Sequence, residues 1–130
     1  MATRGRNPTA FISCSFDAND QKSVVKPLVD LIEACEIRPL NLYWDVAAGQ
    51  ISDVVVEHIR RCNLFVAIVT RREEVQCGGN KGYRTSPMIM QEIGIALAFD
   101  KEIVIFLEED VDQMDLAMAK GVVPFPFRRG

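Results

Sequence analysis

The chain has one histidine, one tryptophan and four cysteines in 130 residues, and each scarcity excludes a class of protein. His58 has no cysteine at ligand spacing, and Cys14, Cys35, Cys62 and Cys77 form no C-x-x-C pair, so no zinc site is expected. No apolar run approaches the ~20 residues that a membrane-spanning helix needs. A basic excess is missing too: the formal net charge is -3, which argues against a nucleic-acid surface. There is no G-x-G-x-x-G and no P-loop, so neither the usual dinucleotide fold nor an ATPase is indicated. Met1 to Thr9 lacks the apolar stretch of a signal peptide and reads as a flexible segment, 1–9, ahead of one domain over 10–130. Cys14 and Cys62 fall in or beside apolar segments and read as small buried hydrophobes. Free cysteines in such a chain fit a reducing, cytoplasmic setting.

What is present is an alternation of apolar runs and helical patterns. Ala10–Ser15 reads as a first strand, and Asp17 to Asp20 offers N-caps for a helix to about Glu36. Pro27 either kinks that helix or opens its regular part. Leu40–Trp44 reads as a second strand, Asp45–Gln50 as a loop, and Ile51–Cys62 as a helix with Val55, His58, Ile59 and Cys62 inside. Leu64–Val69 is apolar at every position, as in a strand covered on both faces. Arg71–Thr85 reads as a loop, Pro87–Phe99 as a helix and Glu102–Leu107 as another two-sided strand. Val111–Lys120 reads as a short helix capped by Gly121, and Val122–Phe127 as an edge strand because Pro124 and Pro126 cannot donate to a ladder. The order βαβαβαβαβ predicts a flavodoxin-like α/β sandwich around a five-stranded parallel sheet. The chain stops soon after the last strand, which fits a domain cut from a longer protein.

One glutamate stands out. Projected as a helix at about 100° per residue, Pro87–Phe99 places Met88, Glu92, Ile95 and Phe99 in one stripe flanked by Ile89 and Ala96. A solvated glutamate would lie opposite, beside Gln91 and Ala98. A buried carboxylate is either paired or neutralised, or it faces a cleft and works there. A purely structural Glu92 would be held by a buried arginine or by backbone groups.

In parallel sheets of this kind ligands bind beyond the carboxyl ends of the strands. Those ends are Ser15-Phe16-Asp17, Trp44-Asp45 and Thr70-Arg71. The segment of about fifteen residues after Thr70 carries Arg71, Arg72, Lys81 and Arg84 among three glycines, and long loops in compact domains are often functional. Basic residues there suit phosphates; the plainer reading is a solvated loop.

The residues resemble the TIR (Toll/interleukin-1 receptor-like) domains in their prokaryotic form. Phe11-Ile12-Ser13-Cys14-Ser15 is similar to the first-strand box. Trp44-Asp45 through Gly49, followed by Ile51–Cys62, is similar to the second box and its BB loop. Ser86-Pro87-Met88-Ile89-Met90-Gln91-Glu92 is similar to the S-x-W-x-x-x-E segment, with Met88 where the family commonly has tryptophan. The resemblance implies an NAD⁺ glycohydrolase with Glu92 as the catalytic carboxylate and NAD⁺ as substrate rather than a bound cofactor. It implies Ser15 and Phe16 beside ribose and nicotinamide, Met88 in the place of a tryptophan that helps shape the pocket, Asp45 and the loop to Gly49 at its border, and Arg71 or Arg84 at the pyrophosphate; Thr70, at its strand end, is a further candidate for substrate binding. It also implies activity on assembly, with the Asp45–Gln50 loop of one copy completing the site of the next, and an antiphage or signalling role under a sensor domain or partner protein.

A lone carboxylate suits this chemistry. Nicotinamide is already cationic at its ring nitrogen and leaves neutral, so no acid must protonate it, unlike the leaving group in ordinary glycoside hydrolysis. The reaction needs stabilisation of an oxocarbenium-like ribose, which one glutamate in a partly apolar pocket supplies. Two alternatives remain: a TIR adaptor that assembles without cleaving, and an enzyme like the nucleoside 2-deoxyribosyltransferases, which cut an N-glycosidic bond with a glutamate on the same layout. A response-regulator phosphoacceptor is disfavoured, since Asp17 has no acidic pair before it.

Overall fold

The all-apolar run Leu64–Val69 takes the centre of a five-stranded parallel sheet. The computed structural model describes residues 7–40, 53–77, 79–112, 122 and 124–129. In chain order these form β1 (Thr9–Ser13), α1 (Ala18–Asp20), a π-helical segment (Gln21–Val25), α2 (Lys26–Ala34), β2 (Arg38–Leu40), α3 (Asp53–Arg61), β3 (Leu64–Val69), β4 (Glu73–Cys77), β5 (Asn80–Arg84), α4 (Pro87–Ala98), β6 (Glu102–Glu108) and β7 (Phe125–Phe127). The sheet order is β2-β1-β3-β6-β7, with every neighbouring pair parallel. This is the flavodoxin-like order, so the predicted fold class holds. Among the described residues no helix is long and apolar enough to cross a membrane.

Alternation along the strands divides the core into two layers. Phe11, Phe65 and Ala67 pack with Val55 and Ile59 of α3 and Ile89, Ile93 and Ala96 of α4. Phe11 and Phe65 are in register on adjacent strands and stack at 5.7 Å. Ile12, Val66 and Ile68 face the other way, onto Val24, Val25 and Ile32 of the first helical stretch. Cys14 and Cys62 are buried, as expected, and Cys14, Cys35 and Cys62 are free thiols.

The local details depart from the sequence reading in several places. The chain from Ala18 to Ala34 runs on in right-handed helical geometry, but widens to a π-helix over Gln21–Val25. Pro27 follows at once, in the first turn of α2. A proline has no N–H for the carbonyl four residues back, and the wider turn accommodates that loss. The helix ends at Ala34 rather than Glu36, whose φ of 62° turns the chain out. The second strand lies upstream of its expected span and shares only Leu40 with it; Asn41 to Trp44 and the Asp45–Gln50 loop are outside the described residues. The expected free N-terminal segment is tied down at its end. Thr9 begins β1 and donates its N–H to Asn63 Oδ1 at 2.9 Å, while the carbonyl of Pro8 accepts from Arg38 N.

The expected loop 71–85 is an antiparallel hairpin, β4 against β5, paired out to Cys77 and Asn80, with Gly79 between them at φ +90°. Gly79 supplies a positive φ of the kind that a two-residue hairpin turn requires. Tyr83 N–H donates to the carbonyl of Asp110 and Asp112 N–H to that of Tyr83, so the hairpin is anchored just after β6. Val111, expected to open a helix, bridges Tyr83 instead; residues 113–121 are outside the described set. The expected edge strand is present as β7, with Pro126 inside it.

Candidate active site

Between β1 and β3 the chain's path reverses, since β2 lies to one side of β1 and β3 to the other. A crevice opens at the carboxyl ends of such strands. Here a cavity of about 380 Å³ is lined by Cys14, Ser15, Phe16, Asp17, Asp20, Arg71, Arg72, Ser86 and Met88. They come from the end of β1, the start of α1, the end of β3 and the start of α4.

Each segment is fixed by local bonds. Asp17 caps α1 by accepting from Asp20 N at 3.1 Å, and its own N–H donates to Ser15 Oγ at 3.1 Å. Gln21 Nε2 donates to the Ser15 carbonyl at 2.6 Å. Ser86 caps α4, accepting from Met88 N at 3.2 Å, and Pro87 follows in the first turn, where its missing N–H costs nothing. This seats Met88 at the cavity and Glu92 one helical turn further in.

Glu92 is only 5 % exposed. Ser13 Oγ, at the end of β1, donates to Glu92 Oε1 at 2.6 Å. That hydroxyl is the carboxyl's hydrogen-bond partner, and among the described residues no arginine or backbone group holds it. Burial raises its pKa from an ordinary 4.5 to about 7, against a lowering by the Ser13 bond. The carboxyl is therefore poised to titrate near neutrality, whereas a cation paired with it would have held its pKa down. Burial also pushes the Cys14 thiol up to about 12, so it is not a ready nucleophile. Among the described residues no group of three or more histidines, cysteines or acids is placed to hold a metal.

The structure sorts the residues expected at the site. Ser15, Phe16, Arg71 and Met88 line the cavity together. Glu92 lies inward of the lining residues, on Ser13. Thr70 is fully buried at the end of β3 and is not among the lining residues. Arg84 is exposed on β5 and also off the lining. Asp45 is outside the described residues. Phe99, expected in the inner stripe, caps α4 at 37 % exposure; the buried face is Ile89, Glu92, Ile93 and Ala96.

Arg71 is heavily engaged. Its Nε donates to the Glu109 carbonyl at 2.9 Å, its Nη2 to Asp110 Oδ2 at 3.1 Å, and its guanidinium lies 4.8 Å from the Tyr83 ring centre. Its backbone N–H donates to Glu108 Oε1 at 2.9 Å. Glu108, 3 % exposed, also takes Arg129 Nε at 2.7 Å, and the same guanidinium reaches Asp20 Oδ1 at 2.6 Å. Sequence reasoning missed Ser13, Asp20 and Ser86 as parts of this site, while Arg72 was among the basic residues it thought suited to phosphates. A signal existed for Ser13, a hydroxyl closing an otherwise apolar strand. None existed for Asp20, whose partner lies at the far end of the chain.

No protein-family model matches the chain, and no curated protein matches it. Among solved structures the chain is similar to the CMP N-glycosidase BcmB of Clostridium botulinum, at 20% identity over 92% of this chain and 88% of that one, with a TM-score of 0.61. At that identity the likeness shows a shared fold.

Proposed function

We propose that this protein cleaves the N-glycosidic bond of a ribonucleotide, with Glu92 as the catalytic carboxylate and NAD⁺ as the substrate. The observation that carries the reading is Glu92 itself: buried, without a cation beside it among the described residues, held by the Ser13 hydroxyl, and with its pKa raised by burial to about 7 beside a strand-end cavity. A carboxyl with those properties is poorly suited to a structural task, because its ionised form costs folding energy that a glutamine would not.

The C1′–N bond of NAD⁺ breaks with its electron pair passing to the ring nitrogen, so nicotinamide leaves neutral. Positive charge develops over C1′ and the ring oxygen of the ribose, and ionised Glu92 stabilises it. The Ser13 hydroxyl keeps the carboxylate in one orientation. Water then bonds to C1′ and releases a proton, giving ADP-ribose, or an adenine nitrogen bonds there to give a cyclic product. Phe16 and Met88 form the apolar wall, with Met88's thioether where the TIR resemblance has tryptophan. In this reading Asp45 and the rest of the Asp45–Gln50 loop complete the site between copies of the chain, and Arg71 works from its fixed position at the strand end. Thr70 supports the strand end from below.

The similarity to a CMP N-glycosidase favours a second reading, a nucleoside monophosphate as substrate. Cytosine, unlike nicotinamide, must be protonated as it leaves, and a carboxyl with a pKa of about 7 still carries its proton in part at neutral pH. The test is release of nicotinamide from NAD⁺ and of cytosine from CMP, each with Glu92→Gln alongside. The expected result is nicotinamide release, lowered at least ~100-fold in the variant, a loss typical of a charge-stabilising group. Cytosine release alone would transfer the conclusion to the second reading. Base release unaffected by the substitution would remove Glu92 from the chemistry.

A further inference from the structure

We propose that Arg72 forms a phosphate subsite in the strand-end cavity, and that Arg129 keeps this subsite usable by cancelling the charge of Asp20. The site would then take ribosides that carry a 5′-phosphate or diphosphate in preference to bare nucleosides. The inference rests on the reading of this cavity as the substrate site.

Four charged residues line the cavity: Asp17, Asp20, Arg71 and Arg72. Their commitments differ. Arg71 is answered by Asp110 at 3.1 Å and pinned by the Glu109 carbonyl and the Tyr83 ring. Asp20, 6 % exposed, is answered by Arg129 at 2.6 Å. Asp17 gives one oxygen to the α1 cap and keeps its charge. Arg72 is exposed, and among the described residues its guanidinium has no partner. Its backbone N–H donates to the Arg84 carbonyl at 2.8 Å, at the foot of the hairpin, so the side chain springs from a fixed base.

An exposed arginine without a partner adds little to the fold, yet a planar guanidinium suits two phosphate oxygens at once. Among the described residues Arg72 is the cation left uncommitted at this cavity. Asp20 would oppose an anion there were it not paired. Arg129 removes that opposition from outside, and it also holds Glu108 through Nε at 2.7 Å and Nη2 at 3.0 Å. Arg129 was not expected at the site from sequence; Arg72 was one of four basic residues on the segment thought to suit phosphates, and the two that the resemblance put at the pyrophosphate, Arg71 and Arg84, are respectively neutralised and off the lining.

The test is binding by calorimetry in a Glu92→Gln background, so that no turnover intervenes. The probes are two matched pairs that differ only in the 5′-phosphate: nicotinamide mononucleotide against nicotinamide riboside, and CMP against cytidine. In at least one pair the phosphorylated member is expected to bind about tenfold more tightly, as one charge-assisted contact provides. Arg72→Gln should erase that preference and leave the nucleoside unchanged. Asp17→Asn, which keeps the cap, should strengthen it. Arg129→Gln should weaken the phosphorylated member, and adding Asp20→Asn to it should restore the binding. Should Arg129→Gln fail to fold, the exposed Arg72 decides alone. No preference for phosphate in either pair, or a preference that survives Arg72→Gln, overturns the proposal. A phosphate preference without base release from NAD⁺ or CMP by the wild type would instead overturn the glycosidase reading and leave the subsite standing.

Discussion

At the scale of the residue, Glu92 sets stability against function. Its pKa is raised in the folded chain, from 4.5 to about 7, so the protonated form suits the fold and the ionised form strains it. The contribution is fully present below the unfolded value and is lost as pH rises through about 7. A displacement of that size corresponds to stability on the order of 3 kcal/mol. Glu92→Gln keeps the shape and drops the charge. In thermal melts the variant should match the wild type near pH 5 and be the more stable of the two near pH 8. An equal difference at both values would mean that burial is not what governs this carboxyl. Activity has the opposite sign in the proposed reaction, which uses ionised Glu92: nicotinamide release should climb with pH through about 7 in one ascending limb. A bell-shaped profile would point to an acid in the reaction and to a neutral leaving base. Ser13→Ala removes the bond that holds the pKa down, so the limb should move to higher pH.

At the scale of the element, α4 carries both a site and a weak point. Gly94 lies in its interior, exposed, and a Cβ built there meets nothing within 4 Å. Gly94→Ala should therefore stabilise the fold by ~0.5–1 kcal/mol in urea unfolding without altering activity, since a helical glycine gives up backbone entropy for no contact. A loss of stability would show that Gly94 faces something other than solvent. The same helix shows how far periodicity carries. The spacing identified the helix and the odd carboxylate correctly, but placed Phe99 on the inner face. Phe99 is the C-cap, where the helical projection no longer applies. The hairpin was missed for a different reason. Its strands are charged and mostly exposed, so they lack the apolar alternation that marks a strand, and the legible signal was the Gly78-Gly79 pair. The π-helical segment had a trace in Pro27 but no pattern of its own. Elements whose burial is one-sided were legible; those held by backbone geometry or by bonds to distant residues were not.

At the scale of the whole molecule, the alternation of strands and helices was enough to give a parallel sheet, and the parallel sheet was enough to give the edge where the cavity lies. What the alternation could not give was the long-range tie of Arg129 to Asp20 and Glu108, because ion pairs leave no periodic trace. That tie joins β6, the segment after β7 and α1 at a neighbouring cavity, which shares Asp20 and Arg71 with the candidate site. The strand-end cavity, at about 380 Å³, is near the small end of the range for ligand sites, and NAD⁺ is a large ligand for it. A second copy that adds a wall would resolve the mismatch, as the TIR resemblance implies through the Asp45–Gln50 loop. Head-to-tail contacts of that kind make open filaments unless the rotation closes a ring, and in either case assembly and activity should rise together with concentration. Nicotinamide release per molecule should thus increase steeply over a ~100-fold rise in protein concentration, in step with scattering from the same samples. Activity per molecule that stays constant while the protein remains monomeric would mean that one chain builds the whole site, and would favour the smaller substrate, a nucleoside monophosphate, over the dinucleotide.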